Sequence, residues 1–104
     1  MENLSQQDWK TKLASTDDAV ILDVRTPGEW SEGIIPNAQK IDFLDSDNFV
    51  GNIEKLDKNK TYFVYCRSGN RSGQSCQLMD QLGFKVSYNL LGGMMEWQGE
   101  TIKD

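Results

Sequence analysis

Cys66 is the residue whose surroundings could make it a nucleophile. It follows the apolar run 62–65, which is typical of a buried strand, and it precedes the polar segment 67–72, which leads into a helical pattern ending near Leu82. A loop between a strand and the start of a helix can aim several backbone N–H groups at one point, and the helix N-terminus adds a partial positive charge. The sequence therefore predicts a cradle for an anion, and the expected anion is the Cys66 sulfur.

Two arginines lie in the same loop. Free thiols titrate near ~8.5, and neighbouring cations lower that value, so Arg67 and Arg71 are expected to support the thiolate and to attract an anionic substrate. Both could instead be ordinary surface charges. Arg71 could also hold the loop in shape by pairing with a carboxylate, for which Asp23 is the expected partner. Arg25 is expected to pair with Glu29, and Asp23 and Arg25 are expected to be structural support rather than catalysts.

The composition narrows the chemistry available to the 104 residues. There is no histidine, which excludes Cys–His dyads and His-based metal sites, and the two cysteines are too few for a cysteine-built zinc site. Cys76 follows Cys66 by nearly three helical turns, so it is expected to be a buried helix residue, with a resolving disulfide as the minor alternative.

Charge and hydropathy bear on partners and location. The net charge of −5 argues against nucleic acid and anionic membranes as partners. No apolar run approaches the ~20 residues of a membrane span, and the first residues lack the features of a signal peptide, so the expected location is cytoplasmic.

The chain alternates between strand and helix patterns. Strands are predicted at 20–24, 39–43, 61–65 and 86–90, and helices at 5–14, after Thr26-Pro27, within 45–56, at 71–82, and around Met94, Met95 and Trp97. Gly92-Gly93 is expected to let the last turn approach the cysteine loop closely. The pattern predicts one α/β domain over residues 1–104, with a mainly parallel central sheet and helices on both faces.

At this point the sequence resembles a known family. The segment 66–72, Cys-Arg-Ser-Gly-Asn-Arg-Ser, resembles the active-site loop of rhodanese-domain sulfurtransferases. Three further segments resemble the family's motifs in the same order: Leu-Asp-Val-Arg at 22–25, Gly-Ile-Ile-Pro-Asn-Ala at 33–38 and Gly-Gly-Met-Met-Glu-Trp at 92–97. Two residues depart from the family pattern, since Ile34 stands in place of a histidine and Asn37 in place of a glycine. Asn tolerates a left-handed backbone, so the second change is mild.

The resemblance implies a small rhodanese-like domain with a defined reaction. Cys66 would be the catalytic cysteine, taking a sulfane sulfur from thiosulfate or a similar donor and passing it, through a persulfide, to an acceptor such as cyanide or a thiol. The substrate-binding residues would be those of the loop: Arg67, Ser68, Gly69, Asn70, Arg71 and Ser72. Partners would be a small anionic sulfur donor and a thiophilic acceptor, and neither a metal nor an organic cofactor is implied.

Three alternatives remain open. The domain could be a sulfur carrier whose donor and acceptor are proteins, for which an exposed, shallow site would be suitable. It could be a non-catalytic interaction module of the same family, although such members usually lose the cysteine. It could be a phosphatase or arsenate reductase, but the four residues between Cys66 and Arg71 make a tighter loop than the C-x5-R cradle of those enzymes.

Overall fold

The computed structural model describes residues 1–103, which form a five-stranded parallel sheet with helices on both faces. The strands lie in the order β1-β5-β4-β2-β3, and every neighbouring pair is parallel. Their bounds are Glu2–Leu4 (β1), Ala19–Asp23 (β2), Gln39–Lys40 (β3), Thr61–Tyr65 (β4) and Val86–Leu90 (β5). The predicted α/β class and parallel sheet are confirmed.

Helices connect these strands. They are α1 (Gln6–Ala14), α2 (Pro27–Trp30), α3 (Phe49–Glu54) and α4 (Asn70–Gln81), followed by a 3₁₀ turn at Met94–Glu96. The hydroxyl of Ser5 accepts a hydrogen bond from the Asp8 N–H, which caps α1 as the sequence predicts. Within residues 1–103 no helix has the length and apolar character needed to cross a membrane.

Side chains of the central strand β4 alternate between two cores, as the pleat of a strand requires. Phe63 and Tyr65 face α1, where both rings pack nearly perpendicular to the ring of the fully buried Trp9. Tyr62 and Val64 face the opposite side, where the core is completed by α3 and α4. Because β4 is buried on both faces, the end of this strand has a fixed position, and Cys66 follows it directly.

Three boundaries differ from the sequence-based prediction. The strand β1 was not predicted, because three residues before a helix carry no recognisable period. The predicted strand 39–43 contains only Gln39–Lys40, because the chain makes just one more backbone bond to β2, from the Ile41 N–H to the Asp23 carbonyl, and then turns at residues 43–44. The helix predicted within 45–56 begins at Phe49, since residues 45–48 form a turn in which the Phe49 N–H donates to the Asp45 carbonyl.

The parallel sheet determines where the site can form. Asp23 of β2 pairs in register with Tyr65 of β4, and Val64 of β4 pairs with Asn89 of β5. The carboxyl ends of these three strands therefore meet at one edge of the sheet, which is the usual location of a ligand site in open α/β sheets.

Candidate active site

The Cys66 sulfur lies among hydrogen-bond donors at the start of α4. The Gly69 N–H donates to Cys66 Sγ over 3.1 Å, and the Ser72 hydroxyl oxygen is 3.3 Å from the same sulfur. Gly69 has a φ of 101°, in the left-handed region, and a Cβ on this residue would lie 3.2 Å from the Leu90 carbonyl oxygen. Glycine is therefore needed for the turn that aims its N–H at the sulfur.

These donors lower the pKa of the Cys66 thiol. Burial is the largest influence and raises the pKa, but hydrogen bonds from the Ser72 hydroxyl and from the N–H groups of Ser72, Gly69 and Ser68 outweigh it, so the pKa lies below its ordinary value. The largest stabilising contributions thus come from a hydroxyl and from backbone dipoles, of which the sequence predicted the dipoles, together with the loop arginines, but not the hydroxyl.

Arg71 is bound to a carboxylate other than the expected one. Its Nη1 and Nη2 atoms donate to the two carboxylate oxygens of Glu29 over 2.8 and 2.9 Å. These hydrogen bonds lower the pKa of Glu29 to about 2, although burial opposes the shift. The predicted pairing of Arg71 with Asp23 is wrong, because Glu29 of α2 extends to the loop while Asp23 is engaged elsewhere.

Asp23 is bound by Arg25 in a buried network beside the loop. The Arg25 guanidinium donates to both Asp23 oxygens, at 2.8 to 3.1 Å, and to the Gly33 carbonyl at 2.7 Å, so the predicted pair of Arg25 with Glu29 is also wrong. The Tyr65 hydroxyl donates to Asp23 Oδ2 over 2.7 Å and accepts from the Ile35 N–H over 3.0 Å. Together these bonds fix the segment 33–35 against the ends of β2 and β4.

The turn after β5 lies directly against the cysteine loop. The N–H groups of Met94 and Met95 donate to the Cys66 and Arg67 carbonyls, each over 2.9 Å. A Cβ on Gly93 would lie 2.5 Å from the Arg67 carbonyl carbon and oxygen and 2.6 Å from the Cys66 oxygen. The close approach expected for Gly92-Gly93 is therefore present.

The surface near the loop contains a depression of about 600 Å³. Its lining combines charged and apolar side chains: Arg25, Glu29, Glu32, Arg67, Met94 and Met95. Arg67 is exposed and, within residues 1–103, makes no ion pair, so its charge is available to an anion. Cys66 itself has no exposed surface, so the structure lacks the exposed, shallow site that would suit the sulfur-carrier alternative. A cavity of similar size between α1 and β2 is lined by no residue of the loop.

The remaining residues of the predicted site have distinct environments. Ser68 and Asn70 are exposed on the loop, while Ser72 is buried beneath it. Cys76 is free and fully buried, and burial raises the pKa of its thiol to about 12, which leaves it protonated and unreactive.

Sequence reasoning missed two residues of this region, Glu29 as the partner of Arg71 and the buried Asn89 of β5. Asn89 lies within 2.5 Å of the Ser72 hydroxyl and 2% of its surface is exposed. The available signal was a polar amide between Tyr88 and Leu90 in the predicted strand 86–90, because a side chain facing the core of a buried strand is expected to be apolar.

Comparison with known proteins identifies the family of this site and fold. The Rhodanese-like domain model matches residues 5–100. The chain belongs to the rhodanese-like domain family. A relative from Bacillus subtilis (strain 168), named as a candidate sulfurtransferase, YtwF, is 40% identical over 101 residues, which cover 97% of this chain and 94% of that protein.

Two further similarities extend this assignment. The thiosulfate sulfurtransferase GlpE of Coxiella burnetii (strain RSA 493 / Nine Mile phase I) is 34% identical over 84% of this chain and 78% of its own length. The crystal structure of a rhodanese-like domain protein from Staphylococcus aureus superposes with a TM-score of 0.84 at 30% identity, over 100% of this chain and 99% of that one.

The two departures from the family pattern have local explanations. Asn37 has a φ of 71° and is the one non-glycine residue within 1–103 with a positive φ, which fits an asparagine in place of glycine. Ile34 is buried, and its N–H and carbonyl exchange hydrogen bonds of 2.8 and 2.9 Å with Ile102. It therefore serves as a core residue at the place where the C-terminal segment joins the fold.

Proposed function

We propose that the chain is a thiosulfate sulfurtransferase in which Cys66 carries the transferred sulfur as a persulfide. The observation that supports this most strongly is the contact of Cys66 Sγ with the Gly69 N–H and the Ser72 hydroxyl, at 3.1 and 3.3 Å, in a chain without histidine. A thiolate stabilised in this way is nucleophilic without a neighbouring base.

The reaction proceeds in two displacements. In the first, the Cys66 thiolate attacks the outer sulfur of thiosulfate, a sulfur–sulfur bond forms to Cys66, and the sulfur–sulfur bond of thiosulfate breaks with its electron pair leaving on sulfite. In the second, cyanide or a thiolate attacks the terminal sulfur of the persulfide, and the electron pair of the breaking bond returns to Cys66. Both displacements move negative charge close to the N–H groups of the loop, which act as an oxyanion hole does.

Arg67 supports thiosulfate as the donor. Its exposed guanidinium is on the rim of the depression beside the loop, where it can bind the dianionic donor and the departing sulfite. Arg71 is held by Glu29 and serves mainly to keep the loop in shape. The name of the Coxiella relative points to the same donor. We place this activity in a single domain in the cytoplasm, where thiols stay reduced.

The test is a steady-state assay with thiosulfate and cyanide. The parent should show ping-pong kinetics, because sulfite leaves before cyanide reacts. Cys66→Ala should lose turnover, and the matched control Cys76→Ala should retain it, since Cys76 is buried and protonated. Turnover by Cys66→Ala equal to that of the parent would overturn the proposal.

The turnover assay, combined with a loading experiment, distinguishes a sulfurtransferase from a sulfur carrier. A carrier would give negligible turnover with thiosulfate but would be loaded on Cys66 by a cysteine desulfurase and cysteine. Absence of both turnover and loading would instead indicate a non-catalytic interaction module.

A further inference from the structure

We propose that Asn89 is a positioning residue that orients the two donors facing the Cys66 sulfur. The inference rests on the proposed function, because it explains how the proposed nucleophile is kept ready to react. The hydrogen bonds of Asn89 go to the Gly69 backbone and the Ser72 hydroxyl, through which it acts on the sulfur.

The hydrogen bonds of Asn89 fix the orientation of its amide. Its Nδ2 atom donates to the Gly69 carbonyl over 3.0 Å and to Asn3 Oδ1 over 2.9 Å, which uses both amide protons. Its Oδ1 atom therefore faces Ser72 and accepts the hydroxyl proton over 2.5 Å. Gly73 allows α4 to lie this close, since a Cβ there would be 3.2 Å from Asn89 Nδ2.

The first action of Asn89 is on the backbone of the loop. Gly69 has no side chain to restrict it, and its left-handed conformation is one of many that glycine can adopt. The bond from Asn89 Nδ2 anchors the Gly69 carbonyl and so restrains the residue whose N–H points at Cys66 Sγ.

The second action is on the Ser72 hydroxyl. A serine in a helix commonly donates to the carbonyl one turn earlier, as Ser75 does to the Arg71 carbonyl over 2.8 Å. Asn89 Oδ1 offers Ser72 a different acceptor and holds its oxygen 3.3 Å from Cys66 Sγ.

A single hydroxyl proton then has two acceptors. While Cys66 is a thiol, the Ser72 proton stays on the side of Asn89 Oδ1. When the thiol loses its proton to solvent, rotation of the Ser72 hydroxyl turns its O–H toward the thiolate, and no further proton is exchanged. Because the bond to Asn89 Oδ1 is made only while Cys66 is a thiol, it does not favour ionisation, and the rise in midpoint expected without Asn89 comes from the Gly69 N–H, whose peptide is then no longer restrained.

A residue that only packs against the loop would make the same contacts as Asn89. The test therefore needs a measurement that responds to the ionisation of Cys66 and does not respond to packing alone. On a Cys76→Ala background, the rate at which iodoacetamide alkylates Cys66 is measured against pH. The pH at the midpoint of the rate curve reports the ionisation of the Cys66 thiol, and the rate on the plateau at high pH reports how easily the reagent reaches the sulfur. Asn89→Ala should move the midpoint to higher pH with the plateau unchanged, and the rate below the midpoint should fall about tenfold, as expected for one hydrogen bond to a charged group.

Three further variants make the result specific. Asn89→Leu fills the space of the amide and should give the same displacement if Asn89→Ala fails to fold. Ser87→Ala removes the other buried polar side chain of β5 and should leave the midpoint of the parent. Asn3→Ala removes only the partner farther from the sulfur and should have a smaller effect than Asn89→Ala.

A folded Asn89 variant with the midpoint of the parent, or a lower one, would overturn the inference, as would a change confined to the plateau. Alkylation does not require sulfur transfer, so the two proposals fail separately. If the parent turns over thiosulfate but the Asn89 variants have the same midpoint as the parent, only the role of Asn89 is refuted. A parent without turnover or persulfide formation refutes the proposed function.

Discussion

Glu29 and Arg71 form a two-point ion pair across the mouth of the cysteine loop, with both guanidinium nitrogens within 2.9 Å of a carboxylate oxygen. The pair connects the short helix α2 to the first turn of α4, so two segments that are 42 residues apart share one fixed geometry. Arg71 is thereby oriented beside Cys66 while most of its charge is compensated.

The first prediction concerns the pH dependence of this ion pair. The pKa of Glu29 is lowered to about 2, so its contribution to stability is present above the ordinary carboxyl pKa and is lost as the pH falls toward 2. Glu29→Gln should cost about 1 kcal/mol at pH 7, since the pair is partly exposed to solvent. Urea unfolding at several pH values should show the difference from the parent shrinking with acidification. Glu54→Gln, at an exposed position of α3, is the control and should show no such trend.

The second prediction concerns Gly93. A Cβ at this position meets the backbone of Cys66 and Arg67 at about 2.5 Å, and the φ of 55° is unfavourable for other residues. Gly93→Ala should therefore lower the free energy of unfolding by about 3 kcal/mol and displace the loop. Gly51→Ala is the matched control, because nothing lies within 4 Å of a Cβ there and alanine favours the helix. Thermal unfolding that is equal for the two variants would contradict this account of the turn.

The third prediction concerns the Tyr65 hydroxyl. Tyr65→Phe leaves the Ile35 N–H and one Asp23 oxygen without this partner in a buried network, which should cost about 2 kcal/mol. Tyr62→Phe on the same strand removes a hydroxyl that donates to the partly buried Asp57 carbonyl, and it should cost about 1 kcal/mol. Chemical denaturation of both variants measures the difference, and a Tyr62→Phe variant that is the less stable of the two would refute the importance of the network.

The fourth prediction separates donor binding from activation of the nucleophile. Arg67→Ala should raise the KM for thiosulfate about tenfold, the effect of losing one charge-assisted contact, and should leave the pH midpoint of Cys66 alkylation unchanged. Lys55→Ala, at the C-cap of α3, removes a surface cation outside the loop and should leave the KM of the parent. A displaced midpoint in Arg67→Ala would mean that this guanidinium supports the thiolate itself.

The features that sequence predicted best are those set by local pattern. The strand at 61–65 is a largely apolar run, the strand at 86–90 alternates apolar with polar residues ahead of Gly92-Gly93, and Ser5 caps α1 through a bond to a residue three positions later. The position of Cys66 between β4 and α4 follows from the same local information.

The features that sequence missed depend on contacts between distant segments. The sequence alone does not show which of two carboxylates, Asp23 or Glu29, pairs with Arg71. Arg71 pairs with Glu29 because the buried hydrogen bonds of Arg25 already occupy Asp23. The role of Asn89 required knowing that β5 lies beside β4. Burial of the Cys66 sulfur could not be inferred from the polar composition of the loop that follows it.

The most direct test of the central claim is the mass of the intact protein after incubation with thiosulfate and removal of excess reagent. The account predicts a gain of one sulfur atom, located by peptide mapping on Cys66, that is removed by cyanide and is absent in Cys66→Ala. A protein whose mass is unchanged, or whose added sulfur lies on Cys76, would contradict it.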